Sequence, residues 1–218
     1  MSISSSLRTD LLSSKELEQV FQKHIIDGSS YFFNEVMKQS DQEYELRHDL
    51  AKTLGISIND IVIVGSAKMG FSLKTHQFKE FDSEFKATQN PRDMSDIDIA
   101  IINKRFFEKT IEEIFHLSRY FDHAWINQHW KTNVFNRTPS NLHKEYALYL
   151  AKGWLRPDLL PMVFYESAAW RSICEDWRKK INLRKISIGF YSDWIYLKHY
   201  QMKNLEELQK QLNNLEIF

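Results

Sequence analysis

Ile61-Val62-Ile63-Val64 is a run of four β-branched residues that meets Gly65-Ser66 at once. Side chains of this type lose rotamer freedom in a helix and pack well on a pleated surface. With no polar residue to turn toward water, the run predicts a strand buried on both faces. A second strand is expected over Asp96-Ile97-Asp98-Ile99-Ala100-Ile101-Ile102. A third is expected over Lys185–Tyr191, where Ile186, Ile188 and Phe190 alternate. Strands separated by helical stretches predict an α+β (α/β) fold, a mixed sheet flanked by helices with helical additions at both ends.

The helices are read from spacing and caps. Ser13-x-x-Glu16 has the form of a capping box, and Leu17, Val20, Phe21 and Ile25 follow at helical intervals until Gly28. A stretch over 30–54, interrupted near Ser40-Asp41, is expected to end at Gly55. Further helices are expected over Phe106–Tyr120, 141–153 and 165–181, with Arg156–Pro161 as a rigid connector. Ser192 or Asp193 should cap a last helix that carries Leu197, Leu205, Leu208, Leu212 and Leu215. The whole chain, 1–218, is read as one domain. It comprises N-terminal helices (13–54), a motif core (58–120), a helical part (139–183) and a C-terminal strand and helix (184–216).

Composition narrows the function classes. The 218 residues balance 29 basic against 29 acidic side chains, which argues against a general binder of polyanions. Cys174 stands alone, so neither an intramolecular disulfide nor a cysteine-based zinc site is possible, which fits a reducing compartment. No apolar run approaches the roughly 18–20 residues of a membrane span, and the first residues lack a signal-peptide core. The expectation is a cytoplasmic protein with no membrane association.

The chemistry concentrates at two of the strands. Alternation puts Asp96 and Asp98 on one face and Ile97, Ile99 and Ile101 on the other. Two adjacent carboxylates repel and are costly to desolvate, so they call for a positive partner. Hard carboxylate oxygens suit Mg2+ or Mn2+. At the end of the first strand, Gly65 lets the backbone approach a ligand closely, and the Ser66 hydroxyl can add a hydrogen bond. The plainer alternative is a strand end with two solvated or salt-bridged acids, paired for instance with Arg92 or Lys68.

Val64-Gly65-Ser66-Ala67-Lys68-Met69-Gly70, followed by Ser95-Asp96-Ile97-Asp98-Ile99-Ala100-Ile101, resembles the DNA polymerase β-type nucleotidyltransferase superfamily. The resemblance covers 61–102. It implies that Gly65 and Ser66 hold a triphosphate and that Asp96 and Asp98 bind magnesium and are catalytic. Lys68 and Ser95 flank these positions as candidate nucleotide contacts. It further implies nucleotidyl transfer from a nucleoside triphosphate to a hydroxyl. The acceptor (a nucleotide, an RNA, a protein or a small molecule) and the oligomeric state are left open. Two departures stand out. Twenty-nine residues, 67–95, separate the two motifs, and the expected third strand offers Lys185, Ser187, Gly189 and Tyr191 on its polar face but no third acid. Asp158 and Asp193 are the remaining candidates. A chain lacking that acid would be a non-catalytic nucleotide-binding regulatory module, of the kind found among antitoxins and antiviral defence proteins. A purely structural helical protein is a third reading.

Other features have plainer alternatives. Arg178, Lys179, Lys180, Arg184 and Lys185 could meet phosphates, or could complement a helix C-terminus. Phe71, Phe78, Phe81 and Phe85 could stack on bases, or could pin the long intervening segment to the body. His48-Asp49 has the form of a metal phosphohydrolase pair but lacks a companion set of ligands.

Overall fold

The computed structural model describes residues 2–13, 16–74, 77–131 and 138–216. The first helices are α1 (Ile3–Leu12), α2 (Leu17–Phe21), which continues as a π-helical turn over Gln22–Ile26, and α3 (Asp41–Leu54). Then come β1 (Ile61–Val64), α4 (Gly65–Met69), β2 (Phe71–Lys74), β3 (Gln77–Glu80), α5 (Ser83–Thr88) and β4 (Ile97–Ile102). A helical stretch follows with α6 (Lys104–Leu117), α7 (His123–His129) and α8 (Pro139–Ala151). The chain closes with β5 (Trp154–Leu155), α9 (Met162–Ser167), α10 (Ala169–Lys180), β6 (Ile186–Tyr191) and α11 (Trp194–Glu216).

The β-branched run is a strand buried at every position, as its composition demands. It forms one edge of a four-stranded mixed sheet ordered β1-β4-β6-β5. β1 and β4 are antiparallel, β4 and β6 parallel, and β6 and β5 antiparallel. Both faces of the sheet are covered. Ile61, Ile63, Ile97, Ile99, Ile101 and Ile188 enter one apolar core with residues of α3, α6 and α10. Val62, Val64, Ala100, Ile102 and Tyr191 enter a second core with α1, α2 and α11. Fully burying each such aliphatic side chain contributes about 1.5–3 kcal/mol. No helix among the described residues is long and apolar enough to cross a membrane.

Several boundaries differ from the sequence reading. The capping box does not form: Ser13 ends α1 with its hydroxyl donating to the Asp10 carbonyl at 2.7 Å, so it is turned back rather than forward. Glu16 precedes α2 without a side-chain cap, and Ser14 and Lys15 lie outside the described residues. The stretch over 30–54 does break before Asp41, its first half being a π-helical turn over Phe32–Val36, and Gly55 caps α3. The 165–181 helix is two helices separated at Ala168. The segment 67–95 holds the end of α4, the antiparallel pair β2–β3 and α5.

That segment is fastened to the body by a buried ion pair. Arg184 donates from both terminal nitrogens to Asp82, at 2.7 and 2.5 Å, and the two side chains are 5% and 9% exposed. Asp82 adopts φ +62°, and its amide and carboxylate exchange 3.0 Å hydrogen bonds with Ser95. The guanidinium also lies over the rings of Phe32 and Phe81. Removing one member of a buried pair leaves the other charged and unpaired, at about 3–5 kcal/mol. Asp82→Ala should therefore lower the stability measured by urea unfolding by about that amount. Burial, helped by the neighbouring Glu175, pushes the Cys174 thiol up to about 12. The reactive form is the thiolate. Native protein at pH 8 should therefore resist iodoacetamide, and labelling followed by mass should reach completion only in denaturant.

Candidate functional site

The two faces of the sheet diverge in character at the start of β4. Asp98 lies between Val64 of β1 and Ser187 of β6 in the sheet register. Asp96, just before the strand, accepts from the Ser187 hydroxyl at 3.1 Å, so both acids share the face of Ser187 and Gly189. Ile97, Ile99 and Ile101 take the other face, in the core. The alternation read from the sequence is therefore the alternation in the fold.

Gly65 faces Asp98 directly. Its φ is +67°, a region that side chains with a Cβ rarely adopt. A Cβ built on it would lie 2.6 Å from Asp98 Oδ2, so carboxylate and backbone are in close contact. Gly65, Asp96 and Asp98 thus border one cleft of about 460 Å3, which continues along β6 to Tyr191, Trp154 of β5 and Tyr200 of α11. This volume falls within the range of small-molecule sites, roughly 300–1,000 Å3.

Basic side chains meet the acids of the cleft. Lys185 donates to Asp96 Oδ2 at 3.0 Å. The lysine is 70% and the aspartate 36% exposed, so the pair is solvent-screened and easily exchanged. Asp158 also lines the cleft, but Arg156 holds it through two bonds of 2.7 and 3.1 Å. Burial first, then the nearby Tyr200 and the Asp98 carboxylate, pushes the Tyr191 phenol well above its ordinary value. Among the described residues no group of three or more His, Cys, Asp or Glu side chains is gathered that could hold a metal.

The other expected site residues are placed differently. Lys68 is 2% exposed, and its amine donates to the Gly28 carbonyl and lies 4.0 Å from Glu43. It turns away from the cleft because its position on α4 faces the N-terminal helices, and burial lowers its pKa despite the Glu43 charge. Its expected role as a nucleotide contact is corrected accordingly. Ser95 is likewise taken up by Asp82 and Arg184. Ser66 is half-exposed beside Gly65 at the start of α4, outside the cleft wall. Asp193 caps α11, accepting from the Ile195 amide at 2.9 Å, which removes it as a third acid of the cleft.

The salt-bridged alternative is realised at Asp96 with Lys185 rather than with Arg92 or Lys68. The rest of the basic cluster is mostly spoken for: Arg178 and Lys179 pair with Glu175 and Asp176, and Arg184 is buried on Asp82. Phe71 and Phe81 are buried and pin the 67–95 segment, while the side chain of Phe78 lies outside the described residues. Asp49 of the His48-Asp49 pair accepts from the Trp177 indole at 2.9 Å, a packing role. The sequence reading passed over Trp154, Tyr191 and Tyr200 as parts of a site. Only the antiparallel docking of β5 on β6 and the packing of α11 bring them to the cleft.

Comparison with protein-family models, with curated proteins and with solved structures gave no match, so the reading of this cleft rests on its residues.

A substitution isolates the Gly65–Asp98 contact. Gly55 has a similar φ of +66° but nothing within 4 Å of a built Cβ. Gly55→Ala should cost only backbone strain, about 1–3 kcal/mol. Gly65→Ala adds the collision with Asp98, so its unfolding midpoint in urea should fall further than that of Gly55→Ala. Equal losses would mean that Asp98 moves aside freely.

Proposed function

We propose that this chain is a polymerase β-like nucleotidyltransferase that takes a nucleoside triphosphate into the Gly65–Asp98 cleft. One observation carries the reading: a backbone stripped of Cβ touches one member of a carboxylate pair, and both line the same cleft. Gly65 adds no side chain to the cleft, so phosphates would meet backbone there, beside Asp98. Asp96 and Asp98 would hold Mg2+ or Mn2+. Two protein carboxylates fit an ion that arrives with its nucleotide, since magnesium keeps waters and phosphate oxygens as its remaining ligands. When bound, the ion neutralises triphosphate charge and polarises the reacting phosphoryl group.

The chain's own part is positioning. Lys185 is the counter-ion of Asp96, and would be free to turn to the phosphates if a cation took its place. An acceptor hydroxyl then attacks the α-phosphorus in line, a new P–O bond forms, and the bond to the β-phosphate oxygen breaks. Pyrophosphate leaves, and the hydroxyl proton passes to solvent.

A second reading, nucleotide binding without turnover, is favoured by β6. Ser187 and Gly189 stand opposite Asp98 and Ala100, where an acid would complete the set, and Asp158 is clamped by Arg156. A regulatory, antitoxin or defence-associated module would need no such acid.

Pyrophosphate release and product mass decide between them. The assay would use each ribonucleoside triphosphate with magnesium or manganese, and total RNA or the protein itself as acceptor. The expected result is release that drops to background in Asp96→Asn/Asp98→Asn. Nucleotide binding without release in any arm would support the second reading. Absence of both binding and release would overturn the two together.

A further inference from the structure

Beyond the acids the cleft changes chemistry. Ser187, opposite Asp98, and Tyr191, opposite Trp154, are four residues apart on β6, about 13 Å at strand spacing. At the Tyr191 end, Trp154 stacks on Tyr191 with centroids 5.4 Å apart and planes 13° apart. Tyr200 packs against the same indole at 4.9 Å and 52°. Tyr200 is nonetheless 42% exposed and lines the cleft, so part of its ring remains open. Trp154 Nε1 is buried against the backbone of Gly189, so the indole forms the floor beneath Tyr200 rather than an open donor. Gln201 and Asn204, three residues apart on one face of α11, border the same wall; Gln201 is buried and Asn204 is half-exposed.

An aromatic cluster alone could simply close β5 onto β6. An open tyrosine and the half-exposed carboxamide residue Asn204 on one wall make a different set, suited to a flat, hydrogen-bonding heterocycle. We propose that this half of the cleft is a nucleobase subsite selective for adenine. The inference rests on the phosphate and metal reading of the other half. A carboxamide presents a donor beside an acceptor, which matches the amino group and adjacent ring nitrogen of adenine. Guanine presents two acceptors along its O6/N7 edge and is best met by a guanidinium. The guanidinium that lines this cleft, Arg156, is committed to Asp158. Cytosine also offers an amino group beside a ring nitrogen, but the larger purine covers more of the tyrosine ring.

Calorimetric titration with magnesium tests this. The ligands are ATP, GTP, CTP, UTP and inorganic tripolyphosphate, and the proteins are wild type, Tyr200→Ala, Tyr200→Phe, Asn204→Ala and Asp96→Asn/Asp98→Asn. ATP should bind tightest. Tyr200→Ala should weaken ATP about tenfold or more while leaving tripolyphosphate unchanged, and Tyr200→Phe should retain ATP affinity. Asn204→Ala should narrow the gap between ATP and GTP. The double aspartate variant should lose tripolyphosphate as well as ATP. Tighter binding of GTP than ATP, or ATP affinity indifferent to Tyr200→Ala while the aspartate variant still loses tripolyphosphate, overturns the base subsite alone. No binding of any ligand to wild type overturns the phosphate reading and this inference with it.

Discussion

The buried contact between Arg184 and Asp82 is the interaction on which the arrangement of the cleft depends. Arg184 is the residue before Lys185, and its other hydrogen bond goes to the carbonyl of Ser95, the residue before Asp96. One guanidinium therefore fixes the places where β4 and β6 begin, and with them the spot where Asp96 and Lys185 emerge together. It also holds the 67–95 segment, whose Phe81 ring it covers. A charge buried this deeply is tolerable only because both terminal nitrogens are engaged and the partner carboxylate accepts from Ser95 as well.

The sheet supplies the second constraint. Its two cores leave no free face over most of β1 and β4, so a polar residue can stand only where covering helices end. Asp98 occupies such a position, on the face of Val64 and Ala100 but at the cleft. The rigidity of β1 and β4 fixes the direction of that carboxylate, and the absence of a side chain at position 65 gives it room.

Three strands, β1, β4 and β6, and the acids were legible in the sequence because their signals are local, whereas the β2–β3 pair inside 67–95 was not read. Ile61–Val64 identifies itself by β-branching, and residues 96–102 by an Asp-Ile alternation that runs into an apolar end. The same locality explains what was missed. β5 has two residues, too few for a periodic signal, and α1 interrupts its apolar marks, Ile3, Leu7, Leu11 and Leu12, with a run of serines. The direction of Lys68 depends on which layer covers α4, and spacing along a five-residue helix does not report that. The capping box misled because Ser13 was already engaged in closing the preceding helix. The aromatic wall was illegible for a different reason: its members come from β5, β6 and α11, and each ring taken singly reads as core.

The parallel pairing of β4 with β6 also bears on how the chain folds. Asp96 and Lys185, which mark the start of that pairing, are 89 residues apart in sequence. β1 and β4 can form their antiparallel pair early, but the isoleucine face they share has no central neighbour until β6 is available. Non-local pairing of this kind is slow, because loop closure precedes any reward from contact. During synthesis the nascent sheet presents an unpaired, β-branched edge while the intervening helices are still being made. The architecture that gives the cleft its rigid floor thus exposes the chain, before β6 arrives, to pairing with the wrong strand.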